Sequence, residues 1–323
     1  MKLRHIAVTM VASLVAFTVA QAPLAEAAPP KSSKSESVSM SPDGPHGIAP
    51  RAVVRFIPQT PGDPTLSPED VGAESGFPEG WQGSRASLIP QKIIGADERQ
   101  RTTPTTTGIN SAIVQISFIV PGTDESSHCT GIMVSADVVV TAGHCLYNRS
   151  DRSGKGVTDW IDVKNITVIP ALDGDELPYG FCSTVAWLSS VKGWTDDGDS
   201  AYDYGALKLD QCPIGNATGT IGLAPTSGDV SGVGTILRGY PYDKDDGTTM
   251  WYTAKPIEIS DARQLHYKHD TARGQSGASL IGDCPGGTGL CSVGIHTNGH
   301  EINNFGVRMI DEVYDNLVSW LDD

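Results

Sequence analysis

The amino-acid sequence predicts an all-β fold, a sandwich or barrel, ending in one α-helix. Three observations predict it. From Lys92 onward, short apolar and β-branched runs recur at close spacing, Gly- and Pro-rich turns separate them, and the chain's end switches to a helical period. The strand-like runs are 112–120, 131–134, 138–141, 166–169, 205–209, 234–237, 251–253, 257–260, 264–267, 278–281, 292–296 and 306–309. Stretches such as Val138-Val139-Val140-Thr141 carry the stiff side chains that suit a pleated, half-buried surface. Between them stand Pro121-Gly122, Asp173-Gly174, Asp197-Gly198, Asp246-Gly247 and Pro285-Gly286-Gly287, residues that tight turns favour. Ile310, Val313, Leu317, Trp320 and Leu321 then fall on one face of a helix.

The first part of the chain reads differently. Lys2, Arg4 and His5 precede an apolar run over 6–19, and Ala25-Glu26-Ala27 supplies small residues. That is the pattern of a secretory signal peptide, expected over residues 1–27. The run is shorter than the roughly 20 apolar residues that span a bilayer, and no later stretch is long enough. The expectation is a secreted, extracellular protein with no membrane partner. Residues 28–91 are rich in Pro, Ser and Gly, among them Pro29, Pro30, Pro42, Pro45, Pro50, Pro58, Pro61 and Pro64. Such a stretch buries little surface by itself and reads as a pro-segment ahead of a domain at 92–323.

The 323-residue chain has a formal charge of −15, which argues against nucleic acid or an anionic membrane as partner. Six cysteines in an exported chain suggest disulfides, with about 15 possible connectivities. Spacing favours Cys129–Cys145, bracketing a strand pair, and Cys284–Cys291, closing a Gly-rich loop; Cys182–Cys212 is left by elimination. The competing zinc site lacks a CxxC pair.

The chemistry centres on Gly274-Gln275-Ser276-Gly277. Upstream lie Thr141-Ala142-Gly143-His144-Cys145 and Asp203-Tyr204-Gly205-Ala206-Leu207. A serine hydroxyl becomes a useful nucleophile at neutral pH only when a base takes its proton and an acid orients that base. His144 is the candidate base, Asp203 the orienting acid and Ser276 the nucleophile. Small residues around Ser276 let a carbonyl approach, and the N–H groups of Gly274 and Ser276 are candidate donors to the oxyanion. Two rival chemistries fail on spacing. A G-x-S-x-G elbow would need Gly where Ala278 stands. His296-Thr297-Asn298-Gly299-His300 has two histidines four apart, but Asn298 and Gly299 suit a helix poorly and there is no H-E-x-x-H.

These residues resemble the chymotrypsin-like serine proteases, and more narrowly the bacterial glutamyl endopeptidases of the V8-like type. The segments that carry the resemblance are Ile94-Gly95-Ala96-Asp97-Glu98-Arg99, the 141–145 stretch, Tyr202-Asp203-Tyr204-Gly205-Ala206, Gly239-Tyr240-Pro241, Asp270-Thr271 with the 274–277 stretch, and His296-Thr297-Asn298-Gly299. The resemblance covers most of residues 92–323. It implies a double β-barrel with the active site between the barrels, and His144, Asp203 and Ser276 as the triad. It further implies cleavage after Glu, and less readily after Asp. His296 and Thr271 would then line the S1 pocket together with the α-amino group of Lys92, once the chain begins there. A glutamate carboxylate leaving water needs charge-assisted hydrogen bonds, and an imidazole, a hydroxyl and an ammonium supply them.

The chain departs from the family in places. Ala272 and Arg273 stand where close relatives often have an aromatic residue and Gly, and Arg273 is expected near the pocket rim, attracting acidic side chains. Gln275 stands where animal digestive relatives have an aspartate that pairs with the new N-terminus. The expected junction follows Gln91 rather than a Glu, which bears on self-processing. The resulting expectation is a monomeric secreted serine endopeptidase made as a zymogen, acting on polypeptides, with its own pro-segment as partner and no cofactor or metal in the chemistry. Two alternatives stand beside it: a protease of this fold with another P1 preference, and a non-catalytic binding module.

Overall fold

A computed structural model describes residues 33–42, 44–46, 56–78 and 91–321. The signal peptide expected over 1–27 lies outside the described residues, as do parts of the expected pro-segment.

The body is two antiparallel barrels. Ahead of them comes β1 (Ser37–Ser41). The first barrel contains β2 (Ile113–Ile119), β3 (Ser126–Met133), β4 (Val138–Thr141), β5 (Thr167–Pro170), β6 (Val185–Val191) and β7 (Gly205–Leu209), in the order β5-β2-β3-β4-β7-β6. A bridge between Val168 of β5 and Cys182, just ahead of β6, completes the ring. The second barrel contains β8 (Gly234–Gly239), β9 (Trp251–Ser260), β10 (Gln264–Tyr267), β11 (Ser279–Asp283), β12 (Leu290–Gly299) and β13 (Asn304–Arg308). Its order is β12-β11-β8-β9-β10-β13, and β13 pairs back onto β12, so no edge is left open. The all-β expectation therefore resolves into a double barrel.

Each strand-like run read from the sequence lies in or overlaps a strand, with one merger: 251–253 and 257–260 belong to the single strand β9. The apolar faces of β2, β3 and β4 fill the first barrel, where Ile113, Ile116, Ile132, Met133 and Val139 are fully buried. β6 gave no apolar signal because Ser189 and Ser190 interrupt it, yet both are fully buried. Their hydroxyls are satisfied: Ser190 donates to the Tyr204 carbonyl at 2.8 Å, and Ser189 Oγ lies 2.6 Å from Ser39 Oγ.

That last partner belongs to β1, which pairs antiparallel with β6. Further along, Val71 and Ala73 are buried in the large apolar core, and Ile57 bridges Leu223. A segment too poor in apolar residues to fold alone thus borrows surface from the barrels. The sulfurs join Cys129 to Cys145, Cys182 to Cys212 and Cys284 to Cys291.

The terminal helix, α1 (Asp311–Leu321), starts with Asp311 and Glu312, which suit the positive end of its dipole. Val313, Leu317 and Trp320 face inward. Trp320 packs at 6.1 Å from the Tyr204 ring, and Asn316 Nδ2 donates to Tyr204 Oη at 2.8 Å and to the Ser35 carbonyl at 2.9 Å. The helix therefore braces β7, the strand that follows Asp203. Trp320→Ala is expected to cost about 3–5 kcal/mol, measured as a shift in the urea-unfolding midpoint; a change within experimental scatter would show that the helix is dispensable.

Candidate active site

Strand register brings His144 and Asp203 together. β4 and β7 run antiparallel with Thr141 opposite Gly205. The residues just after Thr141 and just before Gly205 therefore leave the sheet at the same end. His144 sits there in the short turn Gly143–Cys145, tied down by the Cys129–Cys145 disulfide. Asp203 is fully buried. One carboxylate oxygen accepts from the His144 backbone N–H at 2.8 Å, and the other lies 2.8 Å from His144 Nδ1. A buried carboxylate needs such donors, and gripping both backbone and ring fixes the imidazole. With Nδ1 donating to Asp203, Nε2 is the lone-pair nitrogen, and it has no hydrogen-bond partner among the described residues.

Ser276 lies at the seam between the barrels. Its carbonyl accepts from Thr130 N of β3 at 2.8 Å and lies 3.8 Å from Cys145 Sγ. The next residue, Gly277, donates to the His296 carbonyl of β12 at 2.7 Å. Gly274 and Gly277 have φ of +92° and +84°. A Cβ at Gly274 would stand 2.1 Å from His128 Nε2, and one at Gly277 would stand 2.0 Å from Thr141 Oγ1. Both positions demand glycine for conformation and for space. Thr130 Oγ1 also donates to the Gly274 carbonyl at 2.9 Å.

The expected S1 residues surround the same loop. His296 and Thr271 are fully buried. Thr271 Oγ1 has no hydrogen-bond partner among the described residues, a state that buried hydroxyls rarely keep. His296 Nδ1 lies 2.7 Å from Tyr267 Oη. Burial pushes the His296 imidazole down to about 3 and holds the Tyr267 phenol well above its ordinary range, so both are neutral at pH 7. Were Nδ1 the donor, the buried phenol proton would lack an acceptor. Tyr267 therefore donates to Nδ1, and the His296 proton sits on Nε2. Behind Tyr267, His269 stacks edge-on at 5.3 Å and is held by the hydroxyls of Thr253 at 2.8 Å and Thr235 at 2.9 Å.

Lys92 joins this group through its backbone. Its N–H donates to Asn304 Oδ1 at 3.1 Å, and its carbonyl accepts from Asn304 Nδ2 at 2.6 Å and from Thr271 N at 3.1 Å. Asp270, fully buried, receives the N–H groups of Ile94 at 2.7 Å and Glu98 at 2.9 Å. Asp270, Asn304 and Tyr267 escaped the sequence reading as site residues; only Asp270, adjacent to Thr271 in a matched segment, left a signal. Arg273 is exposed, with its carbonyl accepting from Tyr242 N at 2.6 Å and its guanidinium in no ion pair among the described residues.

Gln91 also enters the site. Its side-chain amide lies 2.6 Å from Ser276 Oγ. With the amide oxygen toward the serine, Oε1 accepts from Ser276 Oγ at 2.6 Å and from Ser276 N at 3.0 Å, and Nε2 donates to the Ala272 carbonyl. The opposite orientation would set like against like at both ends.

The trypsin family model matches residues 105–309. An extracellular metalloprotease of Bacillus subtilis is 39% identical over 235 residues, covering 72% of this chain and 71% of that protein. A glutamyl endopeptidase of Bacillus licheniformis is 37% identical over 243 residues, covering 73% and 71%. Among solved structures, a Glu endopeptidase in complex with MPD superposes with a TM-score of 0.61 at 23% identity, covering 72% of this chain and all (100%) of that one. The protease Anisep of Arthrobacter nicotinovorans superposes with a TM-score of 0.54 at 19% identity, covering 67% and 95%.

Three buried histidines make acid stability a test of this geometry. Burial lowers His128 to about 4, and His269 and His296 to about 3, against an unfolded value near 6.5. Below 6.5 the unfolded chain takes up protons that the folded chain refuses, so stability falls with pH. Between pH 7 and 5 the loss is expected to reach about 2 kcal/mol per histidine. Urea midpoints at the two pH values measure it, and stability that stays level or rises toward pH 5 would contradict the buried, neutral rings.

Proposed function

The chain belongs to the trypsin family and is a serine endopeptidase, and from that premise we propose that it is a secreted enzyme cleaving peptide bonds after Glu, and less readily after Asp. The observation that carries the catalytic part is the buried His144–Asp203 pair, gripped at ring and backbone at 2.8 Å each, with Nε2 in no hydrogen bond among the described residues. In this reading His144 Nε2 takes the proton of Ser276 Oγ as the oxygen attacks the P1 carbonyl carbon. Asp203 holds the imidazole and stabilises its charged form. The N–H groups of Gly274 and Ser276 receive the oxyanion. The tetrahedral intermediate collapses as His144 protonates the leaving amine. Water, deprotonated by the same imidazole, then releases the acyl group and restores the serine.

The preference for Glu rests on the groups that converge beside Ser276. Thr271 Oγ1 is a buried hydroxyl with no hydrogen-bond partner among the described residues, and His296 carries its proton on Nε2 because Tyr267 occupies Nδ1. Both are neutral donors. The positive charge opposing a P1 carboxylate comes from the Lys92 α-ammonium, which exists only after the chain is cut between residues 91 and 92. Residues 1–27 and 28–91 act as signal peptide and pro-segment, and the mature monomer starts at Lys92. The group of three close candidate ligands among the described residues is Cys129, His144 and Cys145, and its two sulfurs are bonded to each other.

Enzyme starting at Lys92 is expected to turn over Glu peptides with a kcat/KM about 100-fold above otherwise identical Gln peptides, and equal rates would defeat the acidic pocket. In the same assay Tyr267→Phe frees the His296 proton to sit on either nitrogen. The Glu rate should fall about tenfold while the Gln rate holds. Arg273→Ala should lower kcat/KM for Glu peptides by about two- to fivefold at low salt and less at high salt, as expected of an exposed charge; unchanged kinetics would remove Arg273 from substrate attraction.

A further inference from the structure

We propose that Gln91 is an internal ligand that keeps the uncleaved chain latent: its side-chain amide fills the oxyanion site and engages the Ser276 hydroxyl until the chain is cut after it. The proposal rests on the catalytic roles argued above for His144 and Ser276.

The amide oxygen lies 3.0 Å from Ser276 N, a donor that would otherwise receive the substrate oxyanion. The same oxygen accepts the hydroxyl hydrogen of Ser276 at 2.6 Å. That proton is committed to Gln91, while His144 Nε2 is buried with no hydrogen-bond partner among the described residues. A serine whose hydrogen points at an amide oxygen, facing an unengaged base, is not primed for attack. The amide nitrogen completes the plug by donating to the Ala272 carbonyl, so all the polar atoms of the side chain are engaged.

The main chain holds the plug in place from Gln91 onward. Gln91 Cα passes so close to Gly299 that a Cβ there would stand 2.8 Å away. The following residue is held at both N–H and carbonyl by Asn304 and Thr271. Asp270 anchors the chain beyond, at Ile94 and Glu98. The side chain is thus presented to Ser276 by an ordered backbone, which lowers the entropy lost in forming the contact.

One hydrolysis then has two consequences. Addition of one water to the Gln91–Lys92 peptide bond leaves a carboxylate on Gln91 and an ammonium on Lys92, with no oxidant or reductant involved. The cut removes the tether that holds the amide over Ser276. It also converts a backbone N–H beside Asn304 and Thr271 into the cationic group that the S1 reading needs. Relief of inhibition and creation of the acidic-residue pocket become a single event.

The test uses a serine-directed fluorophosphonate on the secreted precursor, with intact mass showing that the 91–92 bond is unbroken and peptide mapping showing the label on Ser276. The enzyme starting at Lys92 is expected to label at least ~30-fold faster than the wild-type precursor, and uncut Q91A and Q91L precursors about tenfold faster than it. Matching melting temperatures among the three precursors exclude unfolding as the cause. Variant precursors that label within about twofold of wild type overturn the proposal, as does a wild-type precursor that labels as fast as the mature enzyme. Failure of the mature enzyme itself to label is a separate result, and it would remove the catalytic reading of Ser276 on which the proposal stands.

Discussion

Asp203 imposes the constraint on which the rest of the site depends. A carboxylate with no access to water must find donors, and here it finds them in the backbone and ring of a single residue, His144. That arrangement is possible only because Thr141 faces Gly205 across two antiparallel strands. A shift of one residue in that pairing would turn the alternating side chains over and separate the two groups. The first barrel's core, the Cys129–Cys145 bond and the terminal helix packed against Tyr204 all act on this register. The fold is in this sense the means of holding one imidazole still.

The serine is positioned by different means. Its loop is pinned by Thr130 from the first barrel and by His296 from the second, and its two flanking glycines take conformations and spaces closed to other residues. Neither barrel alone fixes the loop that carries Ser276. The polar layer behind the pocket repeats the logic of Asp203 without a charge: Tyr267 settles which nitrogen of His296 bears the proton, and two threonine hydroxyls hold His269 behind it. Burial keeps these rings neutral at pH 7, so this layer offers directed N–H and O–H groups rather than charge.

Much of this was legible in the sequence because apolar runs and turn residues are local signals. Val138 to Val140 announce a strand, and Gly274 and Gly277 announce an unusual turn, with no knowledge of distant partners. Three kinds of residue were not legible. β6 was hidden by Ser189 and Ser190, whose burial makes sense only once Ser39 and Tyr204 are seen to satisfy their hydroxyls. Asn304 and Tyr267 lie in ordinary strand sequence, and their roles depend on which atoms the barrel closure brings opposite them. Gln91 stood out only as a mismatch with the preferred residue at a cleavage junction. Its contact with Ser276 spans the domain and leaves no periodic trace.

The pairing of β1 with β6 has a consequence of its own. While the chain is continuous, Ser37–Ser41 is supplied to that sheet at a fixed local abundance, however dilute the solution. Under the proposed cut after residue 91, the same strand would become a dissociable subunit whose occupancy obeys mass action. In concentrated solution it would stay and shield the rim of the first barrel. On dilution it would leave, baring a row of backbone groups together with the Ser189 hydroxyl, so that concentration would govern how much sticky border the cut enzyme displays.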